Sequence, residues 1–212
     1  IGASFSPDRL RARAALTLTV TFSGGELGVP SPVRRAVVRF PRGLSLHIPH
    51  LASCTVAQLQ ARGAQGCPAQ SLLGSGHAVA EVHAGTEFEH ENATVSAFIG
   101  PFQGGDPTIE ILGQGYTPLD ERAVATGTLL PDRPPYGEKL QLSIPPIPSI
   151  PLEPDASVIF FTITVGGAHS EARDANTVVL PSSCPAGGFP FAAAFTYEDG
   201  STAAAAATVP CP

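Results

Sequence analysis

Three histidines and four glutamates crowd the stretch from His77 to Glu91. In an extended chain alternate side chains share a face, so His77, Val79, Glu81 and His83 line up together. A turn at Ala84-Gly85 brings Glu87, Glu89, His90 and Glu91 onto the paired strand. Imidazoles beside carboxylates are the donor set of a zinc or copper site. The spacing matches no established ligand motif, however, and an Ala/Val-lined opposite face explains the alternation without an ion. The expectation is a hydrated His/Glu strand face and no metal. His77, Glu81 and His83 are the residues that would converge if an ion bound.

Other chemistry is thinly supplied. Leu73-Gly74-Ser75-Gly76-His77 is not G-x-S-x-G and lacks the strand-to-helix elbow of that motif, so Ser75 reads as structural. Asp106 and Glu110 suit glycoside chemistry only if the fold sets them at the separation that chemistry demands. Gly113-Gln114-Gly115 lacks the strand–loop–helix setting of a phosphate cradle. With no Trp and three Tyr, a stacking platform for sugars or single-stranded nucleic acid is poorly provided. No catalytic residue and no cofactor is expected.

The four cysteines fall as two near pairs, Cys54 with Cys67 and Cys184 with Cys211. Zinc spacing of the CxxC type is absent, and an even count in an exported chain favours disulfides. Of the three possible pairings, chain proximity favours the near neighbours. The sequence starts at Ile1 and contains no Met, which reads as removal of an upstream export signal. No apolar run approaches the roughly 20 residues of a membrane helix. A net charge of −6 argues against duplex nucleic acid as a partner.

The elements that must carry these residues are strands. Leu10 to Phe22 (LRARAALTLTVTF) alternates strictly: Leu10, Ala12, Ala14, Leu16, Leu18, Val20 and Phe22 face one way, Arg and Thr mostly the other. Period two recurs in Val33–Phe40, Leu44–Ile48, His77–His83, Thr86–Glu91, Ala93–Ile99, Thr108–Leu112, Ala123–Leu130 and Lys139–Ile144. Ser157–Val165 (SVIFFTITV) is apolar at nearly every position and reads as a central strand covered on both faces. A short strand follows at Thr177–Leu180. Glu198-Asp199-Gly200 between Phe189–Tyr197 and Ser201–Val209 signals a hairpin that returns Cys211 towards Cys184. Ile1–Arg9 reads as a short lead, and Pro145–Pro154 as a stiff, extended crossover.

Only Thr55–Arg62 (TVAQLQAR) reads as helix, with Ser53 as its N-cap and Gly63 as its stop. There is no βαβ rhythm. The expectation is an all-β, antiparallel β-sandwich of about eleven to twelve strands with one short disulfide-bracketed helix. It forms a single domain over 1–212, with 145–154 as the boundary if there are two.

Leu51-Ala-Ser-Cys54, the helix, and Cys67-Pro68-Ala-Gln-Ser71-Leu-Leu-Gly74-Ser-Gly76 together resemble a signature of secreted bacterial β-sandwich proteins with a disulfide-stapled helical insert. Cys184-Pro185, Gly187-Gly188-Phe189-Pro190-Phe191 and Val209-Pro210-Cys211-Pro212 are similar in style. The resemblance implies export and fold, and brings no activity with it. The resulting expectation is a secreted or cell-surface structural protein without enzymatic activity. Its assembly strand would be Leu10, Leu16, Leu18, Val20 and Phe22, exchanged between copies into a fibre. The alternatives are an extracellular ligand- or carbohydrate-binding module, or a metal-dependent hydrolase.

Overall fold

The computed structural model describes residues 1–24, 30–50, 52–84, 87–117, 120–149, 153–166 and 177–212. Among them are thirteen strands: β1 Gly2–Ser6, β2 Arg13–Thr21, β3 Val33–Pro41, β4 Ser45–His47, β5 Leu72–Ala84, β6 Glu87–Ile99, β7 Thr108–Gln114, β8 Arg122–Pro131, β9 Tyr136–Ser143, β10 Ser157–Val165, β11 Thr177–Val179, β12 Phe189–Tyr197 and β13 Thr202–Val209. Every strand pairing is antiparallel, as expected, and the thirteen described strands join one sheet. Its order is β13-β12-β3-β9-β8-β7-β6-β5-β10-β2-β11-β4, with β1 on the other edge of β2.

This sheet folds over so that its two ends meet. Phe5 of β1 stacks on Phe189 and Phe191 of β12 with ring centroids 5.8 and 5.9 Å apart. Around them Ala14, Leu16, Val178 and Val209 form one buried cluster. Further along, Val20 and Phe22 pack against Val33, Ala193 and Phe195. The layering is therefore that of a sandwich, made from one continuous sheet rather than two.

Two sequence expectations change at the N-terminus. The lead contains a strand, β1, whose Ala3 and Phe5 turn inward while Gly2, Ser4 and Ser6 stay exposed. The long amphipathic run begins only at Arg13, because Arg11 takes a left-handed φ of 60° that breaks the extended chain. Leu10 consequently lies outside the strand, in a turn and exposed. Leu16, Leu18, Val20 and Phe22 face the interior of their own chain. Both edges of β2 are occupied, by β10 on one side and β1 on the other. Within its own chain this strand is therefore paired along both edges.

Ser157–Val165 is central by pairing, between β5 and β2, but its outer face is mixed, carrying Phe160 beside two threonines. On the outside Thr164 and Thr162 meet Thr17 and Thr19 through hydroxyl contacts of 2.8 and 3.0 Å. The two expected strands Thr86–Glu91 and Ala93–Ile99 are one uninterrupted strand, β6. Gly85 of the expected turn lies outside the described residues, though Ala84 pairs with Glu87 across it. The Asp199-Gly200 hairpin forms, with Gly200 at φ 82° and the Asp199 carboxylate accepting from Ser201 N at 2.8 Å. In the proline-rich run, residues 150–152 lie outside the described residues, and the remainder is neither helix nor strand.

The helix, α1, spans Val56–Arg62. Its N-cap is Thr55 rather than Ser53: the Thr55 hydroxyl accepts from Gln58 N, and the Gln58 side chain accepts from Thr55 N. Gly63 ends it as expected, at φ 61°. Disulfides join Cys54 to Cys67 and Cys184 to Cys211. The first brackets the helix and holds it on the outer face of the sheet. There Leu59 is fully buried with Phe98, Leu112 and Val124.

Candidate functional site

The face chosen for its histidines is present, but its members find separate partners. His77, Glu81 and His83 share the outer side of β5, as alternation requires. The register then sets Glu81 opposite His90, and the two hydrogen-bond at 3.1 Å. His83 packs edge-on against Phe88 at 4.6 Å, and His77 lies over Phe160 at 5.2 Å. Among the described residues no group of three His, Cys, Asp or Glu side chains is arranged to hold an ion. Ser75 is exposed on the same face, flanked by glycines that lie against β10.

Asp106 and Glu110 are also split. Asp106 sits in the loop before β7, exchanging backbone hydrogen bonds with Gln103. Glu110 is buried on the outer face of β7 and accepts from the Thr126 hydroxyl at 2.6 Å. Burial lifts its carboxyl above the usual carboxylate range, against the opposing pull of hydrogen bonds from Thr126 and Thr108. Gly100 lets these groups pack: a Cβ there would stand 2.2 Å from Thr108 Oγ1 and 2.7 Å from Glu110 Oε1.

The feature that could act on another molecule lies inside the folded sheet, where no motif pointed. Its inner face lines an apolar chamber of about 200 Å³ walled by residues of β2, β3, β5 to β10 and β12. A second chamber of about 110 Å³ adjoins it towards β4 and β11. Val38, Ile111, Leu142 and Phe161 belong to the walls of both.

Register explains the space. Inward positions on adjoining strands carry Val95, Gly113 and Ala123 in one rung, and Ala97, Ile111 and Ala125 in the next. Ala78 and Ala93 pair beside them. In a closely packed core these positions would hold Val, Ile or Leu side chains reaching the opposite layer. Here they stop short. The sequence signal was available: alanine and glycine recur at alternate positions of β5 to β8, on the face that strand periodicity assigns to the core.

Polar groups along the chambers are few. Arg34, Glu91 and Glu121 line the first and Glu138 the second. Arg34 is ion-paired with Glu198. Glu91 accepts the backbone N–H groups of Tyr116 and Thr117 at 2.7 and 3.0 Å. Comparison with protein-family models, curated proteins and solved structures finds no match for this chain.

Proposed function

We propose that this protein is an exported binding module that encloses an apolar small molecule within its folded sheet. The carrying observation is the first chamber. It offers about 200 Å³ lined almost wholly by apolar side chains. A smaller apolar cavity, about 150 Å³, stays dry and takes up benzene. Walls of this composition therefore favour an apolar occupant over water. Two disulfides fit an oxidising, extracellular setting, and no helix among the described residues is long and apolar enough to cross a membrane.

The experiment is titration with a neutral fluorescent hydrocarbon probe, N-phenyl-1-naphthylamine. Saturable enhancement at one probe per chain is expected. Fluorescence that rises without saturation, or not at all, would contradict the reading.

Self-association, the structural reading, rests on a different element from the one expected. Edge strand β13 pairs only with β12 in the sheet, in a regular register. Its residues, TAAAAATV, carry no charge, and Ala204 and Ala206 are exposed. An uncharged, regular edge is a template for a second copy. Sedimentation of the native protein beside the double variant Ala204→Lys/Ala206→Lys tests this. An oligomer that the variant dissolves supports edge pairing, and a native monomer at all concentrations rules it out.

A further inference from the structure

Four charged residues line the two chambers, and three of them are acidic: Glu91, Glu121 and Glu138. The one cation, Arg34, is already committed to Glu198. Glu91 is likewise engaged, by the N–H groups of Tyr116 and Thr117. Glu138 differs. It sits on β9 between Phe40 of β3 and Pro131 of β8, and its side chain lines the second chamber among Phe40, Leu44, Leu129 and Leu140. Among the described residues no group donates a hydrogen bond to it. Glu138 is half-buried, so where its side chain lines the chamber a bound molecule's head group can donate to it in place of water.

We infer that the ligand is a single-chain amphiphile with a hydrogen-bond-donating, cationic or neutral head, its aliphatic chain lying along the two adjoining chambers and its head group on Glu138. This rests on the binding reading above and specifies the class of molecule. The two chambers share walls at Val38, Ile111, Leu142 and Phe161, which sets them side by side along the path assigned to the chain. A fatty carboxylate fits the same apolar space but meets only carboxylates and an occupied arginine. An alkylammonium meets a charge-assisted acceptor, and an alcohol a neutral one. Burial raises the Glu138 carboxyl above its ordinary 4.5.

The test is displacement of bound N-phenyl-1-naphthylamine by dodecylamine, dodecanol and dodecanoate at about pH 8, where an alkylammonium, like lysine, stays protonated. For the native protein dodecylamine should displace the probe at about tenfold lower concentration than dodecanoate, with dodecanol between. The near-isosteric variant Glu138→Gln should bind the probe as before and bring amine and carboxylate to within about threefold of each other. Glu138→Lys should reverse the order. Dodecanoate competing as well as dodecylamine, or a preference unchanged in Glu138→Gln, would overturn the head-group assignment while leaving apolar binding intact. Failure of the probe itself to bind would remove both.

Discussion

Phe22, just beyond β2, and Phe195, on β12, meet edge to face with ring centroids 4.9 Å apart. Between their strands in the hydrogen-bonded order lie β3, β9, β8, β7, β6, β5 and β10. Two rings so far apart along one sheet touch only because the sheet folds back on itself. The same closure brings the walls of the chambers together, so fold and apolar space have one cause: strands with an apolar inner face and small side chains in its middle.

Filling the first chamber separates a functional void from a packing defect. Ala123→Leu places a larger side chain among Gly113, Ala125 and Ile111. Stability should rise by about 1 kcal/mol, as cavity filling commonly does. Probe affinity should drop by about tenfold or more, the scale of 1.4 kcal/mol. Urea midpoints and probe titration read the two effects. Gain of stability with unchanged binding would assign the probe elsewhere.

Gly74 and Gly76 are required by close backbone approach. A Cβ at Gly76 would stand 1.9 Å from the carbonyl oxygen of Thr162, and one at Gly74 would stand 2.1 Å from that of Thr164. Backbone in a paired strand cannot step aside as a side chain can. Gly76→Ala should therefore cost about 3 kcal/mol or more. Gly2→Ala, where a Cβ meets nothing within 4 Å, should stay within about 0.5 kcal/mol. Chemical denaturation of both variants checks the contrast.

Glu110 makes a pH-dependent contribution of defined sign. Its folded-state pKa is raised above the ordinary 4.5. As pH climbs past 4.5 the unfolded chain releases this proton first, so the folded state holds the extra proton and stability falls. The fall ends once pH exceeds the raised folded value. Below the unfolded value there is no penalty. Glu110→Gln lacks this dependence, so stability relative to the native protein should rise through that window and then level off. Parallel urea-midpoint profiles for the two proteins would deny the assignment.

The Cys54–Cys67 bridge holds a helix too short to persist alone. Replacing both cysteines by Ser should cost about 3 kcal/mol in the loop-entropy model. The loss should fall first on α1. Hydrogen exchange at Leu59 and its neighbours should accelerate well before that of β6 and β7. Equal acceleration throughout would mean that the insert and sheet unfold as one unit.

Period-two alternation made the strands legible, because a half-buried sheet writes its two faces directly into the chain. The near-neighbour disulfides were legible from spacing, as was the Asp199-Gly200 hairpin from its turn residues. The break before β2 was not, since Arg11 has no residue-type signal for a positive φ. Nor was the pairing of β1, whose five residues owe their order to the seam they fill. The histidine face illustrates a different limit. Alternation puts His77, Glu81 and His83 on one side, but only register decides that Glu81 faces His90 and that His83 meets Phe88. The chambers went unseen because alanines such as Ala78, Ala93 and Ala123 read as apolar whether or not they fill their space.

Methyl-resolved NMR of the native protein titrated with dodecanol tests the proposed binding within the sheet most directly. Shifts concentrated on Ala78, Ala93, Ala123, Ile111, Leu142 and Val158, with outer groups such as Leu72 unmoved, are the expected result. Shifts confined to exposed side chains, or none at saturating dodecanol, would contradict it.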